Sequence, residues 1–348
     1  MRLFSYELRK ILSGAALWVF VGLCVVFNMW AMPMNKNKEF DTVTPFYENV
    51  FDGYNTSELA EIYIYEYGLT GRVAESMRAK FNALQLPADQ RAVNGDSYSP
   101  YFGEHTYVMH QQLFHETAIA GVMGRLLLQG LLLAVLLALL GVSYEQMNRT
   151  EHSVYATKTG RKVLRYKNAA NLTAGIGLYA LLTLITLAVY FSIHDYGNVW
   201  DSSVSSGFNY INDFFTGSRP FITWQSFTVR SFLFANIGVS LGVVICFSLM
   251  GTTVGTLSKN GYIGFFVIVL INAVCLTLSI VFSVNSFMRY VLHHTPIWLW
   301  VYNGLWFTDG TSITLWKNFE LWGIGVSLLL LTALCALVAK NFERRDIV

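Results

Sequence analysis

Twelve residues, "ATKTGRKVLRYK" at positions 156–167, hold five cations: Lys158, Arg161, Lys162, Arg165 and Lys167. Cations at this density attract phosphates, whether of nucleic acid or lipid headgroups, or dock on acidic protein. Other groups able to do chemistry are sparse. His105, His110 and His115, with Glu116 beside the last, could supply metal ligands. On a helix, however, a five-residue step turns each side chain by about 140° from the one before. The three therefore cannot share a face, and no H-E-x-x-H occurs. They read as solvated or locally paired histidines, as do His293 and His294. No Gly is followed by Lys, so the nucleotide loop G-x-x-x-x-G-K-[ST] is missing. Cys24, Cys246, Cys275 and Cys335 all lie in apolar runs, where cysteine packs as a small hydrophobe.

The elements that must position these groups are apolar. The 348 residues are 54% hydrophobic and 13% charged, about half the roughly 25% charge of a soluble domain. Six segments are long enough to cross a hydrocarbon core of about 30 Å as helices: residues 15–33, 119–142, 170–193, 231–257, 262–284 and 321–339. None holds Asp or Glu, and only Arg125 is basic. Long continuous runs call for helices rather than the alternating strands of a barrel. The expected fold is an all-α membrane protein with six transmembrane helices. The first run is longer than a signal-peptide core and no A-x-A-like site follows it, so it reads as an uncleaved span.

Thirteen of the 24 Lys and Arg residues fall in the short stretches 1–14, 143–169, 258–261 and 340–348, and ten in the much longer 34–118, 194–230 and 285–320. The bias places the first set, with both termini, on the cytoplasmic side of a cell membrane. The basic run is then the loop between spans 2 and 3. Pinned to a bilayer at both ends, it offers little surface to nucleic acid. Fixing topology on lipid headgroups would explain its charges but not the order of its other residues. Residues 1–14 carry Phe4, Leu8, Ile11 and Leu12 at helical spacing, with Arg2, Ser5 and Arg9 on another side, the pattern of an amphipathic interfacial helix.

Residues 34–118 hold 12 acids against 6 Lys and Arg and read as a small, helical, extracytoplasmic domain leaning on the membrane or a partner. Val73, Met77, Phe81 and Leu84 form one helical stripe, which Pro87 is expected to stop. Asn55 with Glu58 is a candidate helix cap, and "VNGDSYSP" a turn. Before span 6, residues 285–320 are aromatic and interrupted by Pro296 and Gly304, so short re-entrant or interfacial helices are expected there. Within the spans, Arg125 and Gln129 share one face of the second, and Asn272 and Ser279 one face of the fifth. Such groups line a polar path or make packing hydrogen bonds. Gly238, Gly242, Gly251 and Gly255 form two G-x-x-x-G pairs that permit close helix approach.

The loop 143–169 resembles that of the permease subunits of type-2 ABC exporters. In that family a Glu ends span 2, a Gly-Thr lies five residues on, and an apolar pair, a Pro/Ser-Arg turn and a Lys before span 3 follow. Here Glu145, Thr150, Val154 with Tyr155, Arg161 and Lys167 take those places, while Arg149, Lys158 and Gly160 replace the glycine, proline and serine. The tail "NFERRDI" (residues 340–348 form the last segment) and the order of spans add to the likeness. The resemblance implies a short helix around 147–157, with Glu145, Arg149, Thr150, Glu151, Tyr155, Arg161 and Lys167 coupling the chain to two copies of a separate ABC ATPase. ATP and Mg would then sit on that partner and no cofactor on this chain, which would be a transporter subunit and not an enzyme. A second permease, like or unlike, would complete twelve spans in a bacterial plasma membrane. Spans 2 and 5 would line the path, lending weight to Arg125, Gln129, Asn272 and Ser279. An apolar lining suits an amphipathic or hydrophobic cargo such as a peptide, lipid or drug, and the acidic domain favours a cationic peptide. The competing expectation is a peptide sensor or immunity scaffold that binds through 34–118 without transport.

Overall fold

The computed structural model describes residues 2–32, 48–99, 113–156, 160–194, 196–197, 199–207, 209–258 and 260–344. His105, His110, Lys158 and the residues after Arg344 lie outside this set, as do the side chains of His115 and Glu116.

Two helices open the chain, α1 (Arg2–Leu12) and α2 (Ala15–Trp30), bent by 60° at Ser13–Gly14. The distal domain supplies α3 (Thr56–Tyr67) and α4 (Gly71–Asn94). Then come α5 (Gly124–Met147), continuous with a wider turn over Leu113–Met123, the short α6 (Glu151–Tyr155), and α7 (Val163–Ile193). A hairpin of β1 (Tyr210–Asp213) and β2 (Gly217–Pro220) precedes α8 (Val229–Ser258) and α9 (Gly261–Val281). The short α10 (Phe287–Leu292) and α11 (Pro296–Val301) lead to α12 (Phe319–Arg344). Among the described residues five helices are long and apolar enough to cross a membrane, and a sixth crossing results if the bent pair α1–α2 counts as one. The chain is thus a helical membrane protein.

Both chain ends meet at one end of the bundle, called basal below. There α1 packs on α7, and Arg165 of α7 grips Glu343 at the end of α12 (2.6 and 2.7 Å). Gly261, at the α8–α9 turn, faces Ser143 of α5. At the opposite, distal end sit the helical domain, the hairpin, α10 and α11. In α1, Arg2, Ser5 and Arg9 are exposed while Phe4, Leu8, Ile11 and Leu12 are partly covered, as the amphipathic pattern requires.

The α5 helix is the centre of the bundle and is buried along most of its length. Small residues let its neighbours close on it. An added Cβ at Gly251 would lie 2.8 Å from Ala138, one at Gly255 3.1 Å from Leu139, and one at Gly130 2.4 Å from the Tyr179 ring. Gly242 turns instead to Ile324 of α12, and Gly238 faces open space. The paired glycines therefore serve two different seams.

In the distal domain Val73, Met77, Phe81 and Leu84 are buried on one stripe. Asn55 caps α3 by accepting from Ser57 N–H (3.0 Å) and donates to Glu58 (3.1 Å). The expected stop at Pro87 does not occur: α4 runs on to Asn94 and ends at Gly95, whose φ of 68° suits glycine. Pro87 removes one intrahelical hydrogen bond, but the stripe continues past it through Ala88 and Arg91. Arg91 donates to Gln225 O (2.6 Å), Ser226 Oγ (2.5 Å) and Asp96 (3.2 Å), tying the extra turns down. Lys80, also buried, donates to the carbonyls of Asp309 (3.0 Å), Thr311 and Thr314 (2.8 Å). The domain shares a core with Ile222, Trp224, Tyr290 and Leu315, so it leans on other distal segments of its own chain.

Pro296 takes the first position of α11, where its missing N–H costs nothing. Trp300 donates to Gly124 O (3.1 Å) and Asn303 to Ile119 O (2.9 Å), which holds this aromatic stretch on the distal end of α5. His293 donates through Nδ1 to Ile313 O (2.8 Å), and His294 is hydrogen-bonded to Tyr290 O (2.6 Å). Burial pulls the His293 imidazole down to about 4, opposed by its backbone hydrogen bond. The unfolded chain, protonating near 6.5, then binds the proton first as pH falls. Stability should therefore be full above pH 6.5 and decline through pH 4 by on the order of 3 kcal/mol. Thermal unfolding of His293→Asn between pH 7 and 4 checks this, since the variant should lose that part of the slope.

Candidate functional site at the basal end

The span α5 ends in Ser143-Tyr144-Glu145-Gln146-Met147, and its one carboxylate turns inward. Glu145 is buried and accepts from two ammonium groups, Lys167 of α7 and Lys10 of α1, one on each carboxylate oxygen. Lys167 also donates to Gly141 O (3.2 Å). Lys10 bridges to Glu7 (3.0 Å) and lies 4.1 Å from the centroid of the Tyr144 ring. Glu7 is buried too. Two carboxylates and two ammoniums form a neutral cluster pinning three helices together. Each charge compensates the desolvation of the next, which is what makes burial of any of them tolerable.

The chain leaves α5 from this cluster. Asn148 N–H still bonds back to Tyr144 O (3.1 Å), then Arg149 adopts φ 56° and breaks the helix. Few non-glycine residues take that left-handed conformation, so the position is one a glycine would fill without strain. Thr150 N–H donates to Glu145 O (2.8 Å), and its own carbonyl accepts from Val154 N–H (3.1 Å) to start α6. This five-residue helix falls within the expected 147–157. Arg149, Thr150, His152 and Ser153 are exposed, Val154 is partly covered, and the side chains of Glu151 and Tyr155 lie outside the described set. Arg161 donates to Phe342 O (3.3 Å) and stands 5.6 Å from that ring, so it latches the loop to the end of α12.

The seven expected loop positions therefore divide. Glu145 and Lys167 face inward and anchor the loop. Arg161 faces the chain's own tail. Arg149 and Thr150 present surface. Glu7 and Lys10 complete the cluster and were missed by sequence reasoning; the signal was an acid and a base three apart, on an otherwise apolar-and-basic helix.

The four positions expected along a path split into two places. Gln129 and Asn28 of α2 exchange amide hydrogen bonds (2.9 Å each way), with Thr186 of α7 accepting a third (3.2 Å). Arg125, one turn away on the same face, donates to Ala31 O (3.3 Å). Asn272 bonds Ile268 O (2.8 Å) and Met250 Sδ (3.6 Å) on α8, and Ser279 bonds Leu276 O (2.8 Å). In one copy of the chain Arg125, Gln129 and Asn272 thus make hydrogen bonds to neighbouring segments, whereas the bond of Ser279 stays within α9.

Among the described residues no three His, Cys, Asp or Glu side chains converge on a metal position. No family model matches the chain, and no curated protein or solved structure does either.

Proposed function

We propose that this chain is the membrane-spanning permease of an ATP-driven exporter of the type-2 ABC class, with six spans counting α1–α2 as one, both termini cytoplasmic, and hydrolysis on a separate ATPase. The observation that carries the reading is α6: a short helix set off by a left-handed residue, its entry fixed to the bundle through Glu145, at the foot of the most buried span. A push on α6 passes through the Glu145 cluster into α5, α7 and α1 together. The left-handed backbone at Arg149 is where the resembling family carries glycine, so the departure in sequence keeps the backbone conformation. Two such chains with two ATPases would form the transporter, and an amphipathic or hydrophobic cargo fits the apolar helix faces.

The test is affinity purification of the full chain from its native membranes in mild detergent, with bound subunits identified by mass. A nucleotide-binding ATPase is expected in equal amount. Arg149→Glu with Ser153→Glu, both on exposed positions, should cut the captured ATPase at least tenfold at unchanged melting temperature, because docking through surface charge is sensitive to sign. A chain that purifies folded and without any ATPase ends the proposal.

A further inference from the structure

A cavity of about 540 Å³ opens between α7 and α8 in their distal halves. Its floor is Tyr179, Leu187 and Leu233, all buried, and its rims Leu184 and Phe234 are 68% and 65% exposed. The groove therefore faces outward from the bundle, towards the bilayer. At its distal mouth two side chains change the chemistry. Trp200 is held in place by Phe191 and Tyr196, with ring centroids 4.9 and 5.3 Å away. Arg230 follows at the first turn of α8, and its backbone N–H donates to Trp200 O (3.0 Å).

Neither polar group is fully used. The Trp200 indole N–H meets no acceptor among the described residues. Arg230 touches only Asp201 in the described chain, at 3.3 Å, with both side chains more than half exposed. An ion pair so exposed is worth little and exchanges readily. A tryptophan and an arginine at the end of a bilayer-facing apolar groove match an interfacial headgroup, with the indole at the water boundary and the guanidinium on a phosphate.

We infer that this groove holds one phospholipid of the distal leaflet, an acyl chain lying between α7 and α8 and the phosphate taking the place of Asp201 in accepting from Arg230 and accepting also from Trp200. The site is independent of any ATPase and stands or falls apart from the transport reading. A lipid is chosen over a second copy of this chain because the groove is apolar along its length and polar only at its distal mouth, the distribution of a phospholipid's tail and headgroup.

The full-length protein, delipidated in mild detergent and titrated with phosphatidylglycerol, tests it by native mass spectrometry. Wild type should retain one tightly held lipid. Ala188→Trp, which fills the groove, and Arg230→Ala, which removes the headgroup contact at an exposed position, should each reduce retention at least fivefold. Leu329→Trp, on the exposed face of α12, should leave retention unchanged. Equal retention by all four proteins would mean only loosely associated lipid and overturn the site. Loss in Ala188→Trp alone would overturn the headgroup assignment. Efficient disulfide formation between two copies carrying Ala188→Cys would make the groove a protein interface and overturn the lipid.

Discussion

Glu145→Gln is expected to destabilise the protein by at least about 3 kcal/mol, the range seen when one partner of a buried charge pair is removed. The neutral amide leaves Lys10 and Lys167 buried with only Glu7 between them. Lys167→Met should cost a comparable amount, although Glu145 then keeps Lys10. The informative variant is the double one. With Glu145→Gln and Lys167→Met together, the remaining Lys10–Glu7 pair is neutral by itself at 3.0 Å. The double variant should therefore be more stable than Glu145→Gln alone, a coupling that simple addition of single effects excludes. Thermal unfolding in detergent reads all three. A Glu145→Gln shift below 1 kcal/mol, or strict additivity, would mean that the cluster does not hold α1, α5 and α7 together.

This separates two roles that charge reversal at the loop would confuse. On the transport reading, loss of activity on substituting Glu145 says nothing about docking unless the protein is still folded, because the carboxylate is buried against Lys10 of α1 and Lys167 of α7. Arg161 carries the same warning through its contact with Phe342. Among the described side chains of the loop, the exposed Arg149, Thr150, His152 and Ser153 are the ones that test docking without disturbing the bundle.

The parts readable in advance were those governed by local period and local backbone chemistry. Apolar runs located the long helices but not their ends: α2 and α9 stop three residues short of their runs, while α7 begins at Val163, seven residues before the apolar segment, where Leu164 and Lys167 are buried. The Asn55 cap and the amphipathic α1 followed from neighbours within four residues, whereas Pro296, read as an interruption, opens α11. The features that were not legible depend on residues far apart in sequence. Lys10 meets Glu145 across 135 residues, and Arg91 meets Gln225 across 134. Without that second contact the stop at Pro87 is the sound inference. The hairpin escaped because its strands are four residues long and lie in an aromatic segment, with Asp213 and Gly217 making its turn. For the candidate site, the sequence gathers the seven positions around one loop, but which of them face inward is decided by contacts with α1 and α7.

The glycine seam offers an internal control. Gly251→Leu should break the α5–α8 contact, because the first added atom already meets Ala138 Cβ at 2.8 Å and the backbone of Val135 at 3.3 Å. Backbone cannot rotate out of the way, so the helices must part, and overpacking of this kind costs typically 1–3 kcal/mol or more. Gly238→Leu, on the same helix with nothing within 4 Å of its Cβ, should be near neutral. The ratio of folded protein recovered for the two variants measures the seam independently of helix propensity, which changes identically in both. The contrast also bears on the transport reading. On the proposed transport reading, with α8 seated this closely on α5, a force delivered at α6 would move the two helices as one body, so Gly251→Ala should depress that transport by more than its effect on melting temperature accounts for. Equal tolerance of leucine at 251 and 238 would mean that the seam is loose and that α5 slides past α8 instead.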